Sequence, residues 1–84
     1  MKHLVFSVYD TKAQSYLPPI YFNSTGVALR VFTDTVNDKS TVISKHPEDY
    51  CLFHIGSFDD ASCTFDLKPA PVALAQANEL LIED

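Results

Sequence analysis

The chain has 84 residues, 46% of them hydrophobic and 12% aromatic, and six Lys and Arg against eleven Asp and Glu give a formal net charge of −5 at pH 7. This predicts a single domain over residues 1–84, short enough that self-association would help to stabilise it, so a homodimer is left open. The cations are scattered singly, and because nucleic-acid affinity comes largely from phosphate neutralisation, this composition argues against a strong DNA binder unless folding gathers the cations on one face.

The first predicted strand covers residues 3–9, whose alternation places Leu4, Phe6 and Val8 on the more apolar face. Its apolar start is too short for a signal-peptide core, and no later run approaches a membrane span, so the sequence predicts a cytosolic protein without membrane contact. Residues 16–22 form a second extended segment. Its Pro18-Pro19 pair cannot donate ladder hydrogen bonds, which predicts an edge strand or an extended arm.

A helix is predicted over residues 25–37, capped by Ser24 or Thr25. Its Val and Thr content gives poor helix propensity, so we expect it to be held by packing of a stripe on a sheet. The stripe consists of Ala28, Val31 and Phe32. Residues 38–49 are predicted to form the longest loop.

A β-hairpin is predicted next, with strands Tyr50–Phe58 and Thr64–Lys68 joined by the polar residues 59–63. Pairing of Phe58 with Thr64 would set Ile55 opposite Leu67 and Ser57 opposite Phe65. The predicted apolar side, which explains the fold, then carries Cys51, Phe53, Ile55, Phe65 and Leu67. The predicted outward side carries Tyr50, Leu52, His54, Thr64, Asp66 and Lys68.

The segment Pro69-Ala70-Pro71 is expected to end the last strand, with Pro71 as the first residue of a helix that continues to Leu81. The predicted order is therefore β-β-α-β-β-α. This is an α+β fold with a small, mostly antiparallel sheet of about four strands, one helix after strand two and a C-terminal helix.

Neither a metal site nor a catalytic site is predicted. Cys51 and His54 fall on opposite faces of one strand, and no Cys-x-x-Cys knuckle is present, so no metal or other cofactor is expected. Cys51 and Cys63 lie about 26 Å apart along the predicted hairpin, too far for a disulfide, which predicts free thiols. Ser7, His54 and Asp66 lack the turn or glycine-rich loop that would make them a nucleophilic site, so the chain is not expected to be an enzyme.

A stacking surface is the remaining candidate site. If Leu4, Phe6 and Val8 are buried, the opposite face of the sheet would show Tyr9 beside Tyr50, His54 and Lys68, and aromatic side chains with a few cations can stack single-stranded bases. Arg30, one turn into the helix, is a further candidate phosphate contact, with a surface pair to Asp34 as the alternative. The other interpretation is that Tyr9 and Tyr50 pack beneath the terminal helix or against a dimer partner.

Several segments, in this order, resemble the small non-structural protein of gokushoviruses, single-stranded DNA phages of the microvirus group. The matching segments are residues 1–10, Tyr16-Leu17-Pro18-Pro19, residues 28–32, Val36-Asn37-Asp38, residues 46–50 and residues 52–60. They cover nearly the whole chain up to about Leu74. The resemblance implies a protein absent from the mature virion that acts in the cytoplasm of the infected bacterial host.

Two functions are considered. The resemblance implies an accessory protein that assists synthesis or packaging of the viral single-stranded DNA, and weak single-strand binding would use the candidates found from the strand and helix patterns, Tyr9, Arg30, Tyr50, His54 and Lys68. The alternative is an adaptor that binds the replication initiator, a capsid-assembly protein or a host factor without touching DNA.

Overall fold

The computed structural model describes residues 1–82 and has an α+β fold, in which short helices pack on one face of an antiparallel sheet. The strands are β1 (Lys2–Asp10), β2 (Ser15–Tyr16), β3 (Ile20–Phe22), β4 (Tyr50–Asp59) and β5 (Thr64–Gln76). The helices are α1 (Thr25–Asn37), α2 (Val42–Lys45) and α3 (Ala77–Leu80). The strand order is β2-β1-β4-β5, and β3 also pairs with β1, so α+β architecture and antiparallel pairing are confirmed.

Helix α1 has the predicted bounds, and its cap is Ser24, whose Oγ accepts a hydrogen bond from the Val27 amide at 3.1 Å. Its buried residues are Ala28, Phe32 and Val36, spaced four apart, whereas Val31 is 40% exposed. The predicted stripe is therefore wrong at Val31, because the line of contact with the sheet follows the four-residue spacing. Among residues 1–82, no helix is long and apolar enough to cross a membrane.

The edge position of the second extended segment is confirmed. Pro18-Pro19 divides it into β2 and β3, and both short strands pair with β1. Prolines fit between the two strands because neither Pro18 nor Pro19 belongs to the paired positions that continue the ladder with β1.

The C-terminal half differs most from the prediction. Strand β5 does not end at Lys68 but continues through Pro69 and Pro71 to Gln76, and only four residues, Ala77–Leu80, form the terminal helix. Residues 72–76 pair with β4, and this tertiary pairing overrides their helix propensity. The predicted loop over residues 38–49 contains α2 and a 3-10 turn over Pro47–Asp49.

The hairpin register also differs from the prediction, by one residue. Phe58 pairs with Phe65 and Asp59 with Thr64. In β4, Tyr50 and Leu52 meet the helices and are only 7% and 0% exposed, so the predicted outward side of this strand is the buried side. Both faces of β4 carry apolar side chains, and alternation alone therefore does not identify the face that meets the helices.

The core lies between the helices and this side of the sheet. Burial of Phe6 and Val8 from β1 is confirmed, while Leu4 is half-buried beside them. The core residues are Phe6, Val8, Ala28, Phe32, Val36, Ile43, Tyr50, Leu52 and Ala77.

Candidate functional site

The sheet face that points away from the helices, called the outer face here, is rich in aromatic and apolar side chains. From the strand pairing it carries His3, Val5, Ser7, Tyr9, Tyr16, Tyr21, Cys51, Phe53, Phe58, Phe65 and Leu67. Val5 and Ser7 at its centre are buried, whereas several aromatic rings towards its borders are exposed. Helix α1 packs on the opposite face of the sheet, so these rings remain accessible.

A β-bulge in β4 brings the aromatic residues of this strand onto one face. Phe6 pairs with His54 but the preceding Val5 pairs with Gly56, which leaves Ile55 as an extra residue. Phe53 and Phe58 are five positions apart and would face opposite sides of a regular strand. Because the bulge adds one residue between them, both rings lie on the outer face.

The outer face has two aromatic clusters. The first cluster consists of Tyr9, Tyr16 and Phe53, and the second consists of Tyr21, Phe58 and Phe65. In the first, ring centroids are 4.8 Å apart for Tyr9–Tyr16, 5.5 Å for Tyr16–Phe53 and 6.4 Å for Tyr9–Phe53. In the second, they are 4.9 Å apart for Phe58–Phe65 and 6.3 Å for Tyr21–Phe58. These tilted and edge-on contacts fix the rings of each cluster relative to one another.

An apolar groove of about 390 Å³ adjoins the first cluster. Its lining includes Ser7 and the apolar or aromatic residues Tyr16, Leu17, Pro19, Ile55, Leu67 and Pro71. The Ser7 Oγ donates a hydrogen bond to the Leu17 carbonyl at 2.7 Å, and the Leu17 amide donates to the Val8 carbonyl at 2.8 Å. These two bonds attach the proline-containing segment to β1 and so hold one wall of the groove in place.

Carboxylates are absent from the described linings of both the groove and the depression formed by His3, Tyr21, Phe58 and Phe65. The Asp60 carboxylate lies at the border, where its Oδ2 is 2.8 Å from His3 Nε2. Hydrogen bonds from the Met1 amine and from His3 hold the pKa of Asp60 below its ordinary value. Among the cations, Lys68 lines the groove, whereas Lys2 has the strand parity of the helix side and lines a different depression together with Lys68 and Asp66. The linings of these two depressions are therefore free of carboxylates, whereas Asp60 contacts His3 and Glu79 acts on the Cys51 thiol elsewhere on the outer face.

The structure brings together only part of the predicted stacking surface. Tyr9 lies on the outer face and Lys68 lines its groove, but Tyr50 and His54 lie on the helix side of the sheet. Tyr50 is buried in the core, where desolvation first and the nearby Asp10 second raise the pKa of its phenol. The expectation that Tyr9 and Tyr50 share a face is wrong, because their positions in the β1–β4 ladder have opposite parity.

His54 and Arg30 are also separated from the outer face. The His54 ring stacks on Phe6 with centroids 4.9 Å apart, and its Nε2 lies 3.0 Å from the Gly56 carbonyl oxygen. Arg30 is exposed on α1, which packs on the other side of the sheet. Sequence reasoning missed Tyr16, Tyr21, Phe53, Phe58 and Phe65 as one surface. The signal that could have found it is the odd spacing of Phe53 and Phe58 around Gly56, which is typical of a bulge.

The other sequence candidates are not assembled into a site. Ser7 and His54 lie on opposite faces of the sheet, and Cys51 and Cys63 are free thiols, as predicted. One group of three possible metal ligands occurs in the described chain, His46, Glu48 and Asp49, whose ligand atoms lie within 4.8 Å of one another. These groups belong to one surface turn, and only their proximity suggests a cation.

Comparison with known proteins identifies the relatives of this chain. The family model described as Phage ORF5 protein matches residues 3–80. Protein ORF5 of Chlamydia phage 1 is 32% identical over 88 residues, which cover 99% of this chain and 92% of that protein. No solved structure shows a significant match.

Proposed function

Since the chain belongs to the Phage ORF5 protein family, we propose that it is an accessory protein of a single-stranded DNA phage and binds single-stranded DNA weakly on its outer face. Family membership confirms the resemblance to the small gokushovirus protein. Weak, sequence-tolerant binding suits a protein that holds the viral strand transiently during its synthesis or packaging.

The observation that carries this proposal is a set of exposed rings beside two depressions whose described linings contain no carboxylate. Tyr16 is 45% exposed, Tyr21 46% and Phe65 54%. Bases stack on such rings whatever their sequence, and each stacked base contributes about 1–3 kcal/mol. A duplex would not bind in this way, because its bases are already stacked on one another.

Electrostatics predict that the binding is weak and only slightly dependent on salt. Lys68 is the cation in the described lining of the groove, and the net charge of −5 opposes approach of a polyanion. For single strands, the logarithm of the binding constant falls with the logarithm of salt concentration by about 0.7 per neutralised phosphate. One such contact, by Lys68, would give a slope of about −0.7.

The test is a fluorescence anisotropy titration of a labelled oligothymidine with the protein, from low to moderate salt. Tyr16→Ala and Phe65→Ala are each expected to weaken binding by about 1–3 kcal/mol, because each removes a stacking platform. Val42→Ala is the control, since Val42 is 56% exposed on α2, away from the outer face. Absence of binding at the lowest salt, or equal losses in all three variants, would contradict the proposal.

A protein-binding adaptor is the second candidate, and the apolar groove favours it. A cavity of about 390 Å³ lined by Leu17, Ile55 and Leu67 could accept an aliphatic or aromatic side chain of a protein partner. The partner would be the replication initiator, a capsid-assembly protein or a host factor. In this case, a pulldown from nuclease-treated extracts of infected cells would recover a partner with the wild-type protein but not with the Leu67→Asp variant. Recovery of the same proteins with the wild type and with the variant would argue against the adaptor.

A further inference from the structure

Strand β5 presents a long open edge. It is the last strand in the sheet order and, with 13 residues, the longest strand of the described chain. Residues 64–71 are all exposed, including Phe65 at 54% and Leu67 at 61%. An unpaired edge of this kind can accept a strand from another chain, and Pro69 and Pro71 restrict such pairing to Thr64–Lys68.

Two opposite charges within this stretch have no ion-pair partner in residues 1–82. Asp66 and Lys68 are two positions apart, so they project on the same side of the strand, and both line one depression. An edge that carries both signs in this spacing is complementary to itself when two copies run antiparallel.

The charges distinguish between the two-fold registers. A pair centred on Asp66 would set two aspartates directly opposite each other, which is unfavourable. A pair centred on Leu67 sets Asp66 of each copy opposite Lys68 of the other, and Leu67 opposite Leu67. This second register forms two cross-strand ion pairs and covers the most exposed apolar side chain of the edge.

We propose that two copies of this chain pair antiparallel through Asp66–Lys68, in the register centred on Leu67. Cross-strand pairs share a face, so the outer faces of the two copies become one continuous surface. The pairing directly opposes only three residues of each copy, Asp66, Leu67 and Lys68, and the dimer is therefore weak and concentration-dependent. The two-fold axis uses the open edge of both copies, so the assembly closes at two.

Sedimentation velocity over a range of protein concentrations, at low salt, tests the proposal. The wild-type chain is expected to shift from monomer to dimer as its concentration rises. Asp66→Lys sets lysine opposite lysine and is expected to stay monomeric, whereas the double variant Asp66→Lys with Lys68→Asp exchanges the charges and is expected to dimerise again.

Asp34→Lys is the matched control, because it changes the net charge equally at an exposed position of α1 and is expected to dimerise as the wild type does. Circular dichroism verifies that each variant is folded. A wild-type chain that remains monomeric, or a double variant that stays as monomeric as Asp66→Lys, would overturn the proposal. DNA binding by a monomer would leave the proposed function standing, so the two claims fail separately.

Discussion

Gly56 allows β5 to approach β4 closely at the bulge. A Cβ atom at this position would lie 2.4 Å from the Asp66 carbonyl oxygen and 2.9 Å from the Leu67 Cα, both of which belong to the backbone. Backbone atoms cannot rotate away as a flexible side chain can. The residue therefore sets the spacing between the two strands that carry Phe58 and Phe65.

Gly56→Ala is expected to lower the free energy of unfolding by about 1–3 kcal/mol, because the added methyl group forces the strands apart. Urea unfolding followed by circular dichroism measures the change. Gly26→Ala is the control: its Cβ would meet only the Ser24 Oγ, at 3.9 Å, and alanine favours the helix. Equal stability of the two variants would contradict the close approach of β5.

The two thiols differ in accessibility, and their reactivity should differ accordingly. Cys63 is exposed in the β4–β5 turn, whereas burial raises the pKa of the partly buried Cys51. Since the thiolate is the reactive form, iodoacetamide at mildly alkaline pH is expected to modify Cys63 first. Mass spectrometry of the digested protein follows each site, and Cys63→Ser should leave only the slow reaction. Equal rates at both thiols would show that Cys51 is not shielded.

At the scale of elements, local sequence signals were sufficient to predict those elements whose bounds depend on their own residues. The bounds of α1 follow from its cap and its periodicity, and the division of the edge segment follows from Pro18-Pro19. The end of β5 was not predictable in this way. Residues 72–76 are compatible with a helix, and only their pairing with β4 makes them a strand.

The short helix α3 is attached to α1 by Asn37. The Asn37 Nδ2 donates to the Leu80 carbonyl at 3.1 Å, and its Oδ1 accepts from the Ile82 amide at 2.7 Å. A four-residue helix has little stability of its own, so these bonds and the burial of Ala77 hold it in place.

Asn37→Ala is expected to destabilise the protein by about 1–3 kcal/mol, since two backbone groups of the C-terminal segment lose their partner. Hydrogen exchange should show faster exchange in residues 77–82 before the rest of the chain is affected. Asn78→Ala is the control, because Asn78 is exposed on α3. Unchanged exchange in the Asn37 variant would contradict this attachment.

At the scale of the whole molecule, the sheet is longer than the helices that cover it. The principal extents are 45, 24 and 18 Å, and the helices pack only over the part of the sheet that contains Phe6, Val8, Tyr50 and Leu52. The far end of the β4–β5 hairpin and the outer face are left open. This explains how a small acidic chain combines one packed core with a separate apolar surface.

The candidate site was only partly predictable from the sequence, because it lies on the sheet face that the helices leave open. Tyr9 and Lys68 were identified, but the faces of β4 were exchanged, because both are apolar and the choice depends on which one the helices cover. The only local signal for the bulge at Ile55 is the odd spacing of Phe53 and Phe58 around Gly56, and the longer course of β5 depends on its pairing with β4. The net charge of −5 describes the whole chain, and it does not describe the carboxylate-free linings of the outer face.

The most direct test of the outer face as the recognition surface is an NMR titration of isotope-labelled protein with oligothymidine at low salt. The expected result is that resonances of Tyr16, Tyr21 and Phe65 shift progressively, while those of the buried Tyr50 and of Arg30 on α1 remain in place. Shifts centred on α1, or no shifts on the outer face at saturating oligonucleotide, would contradict it.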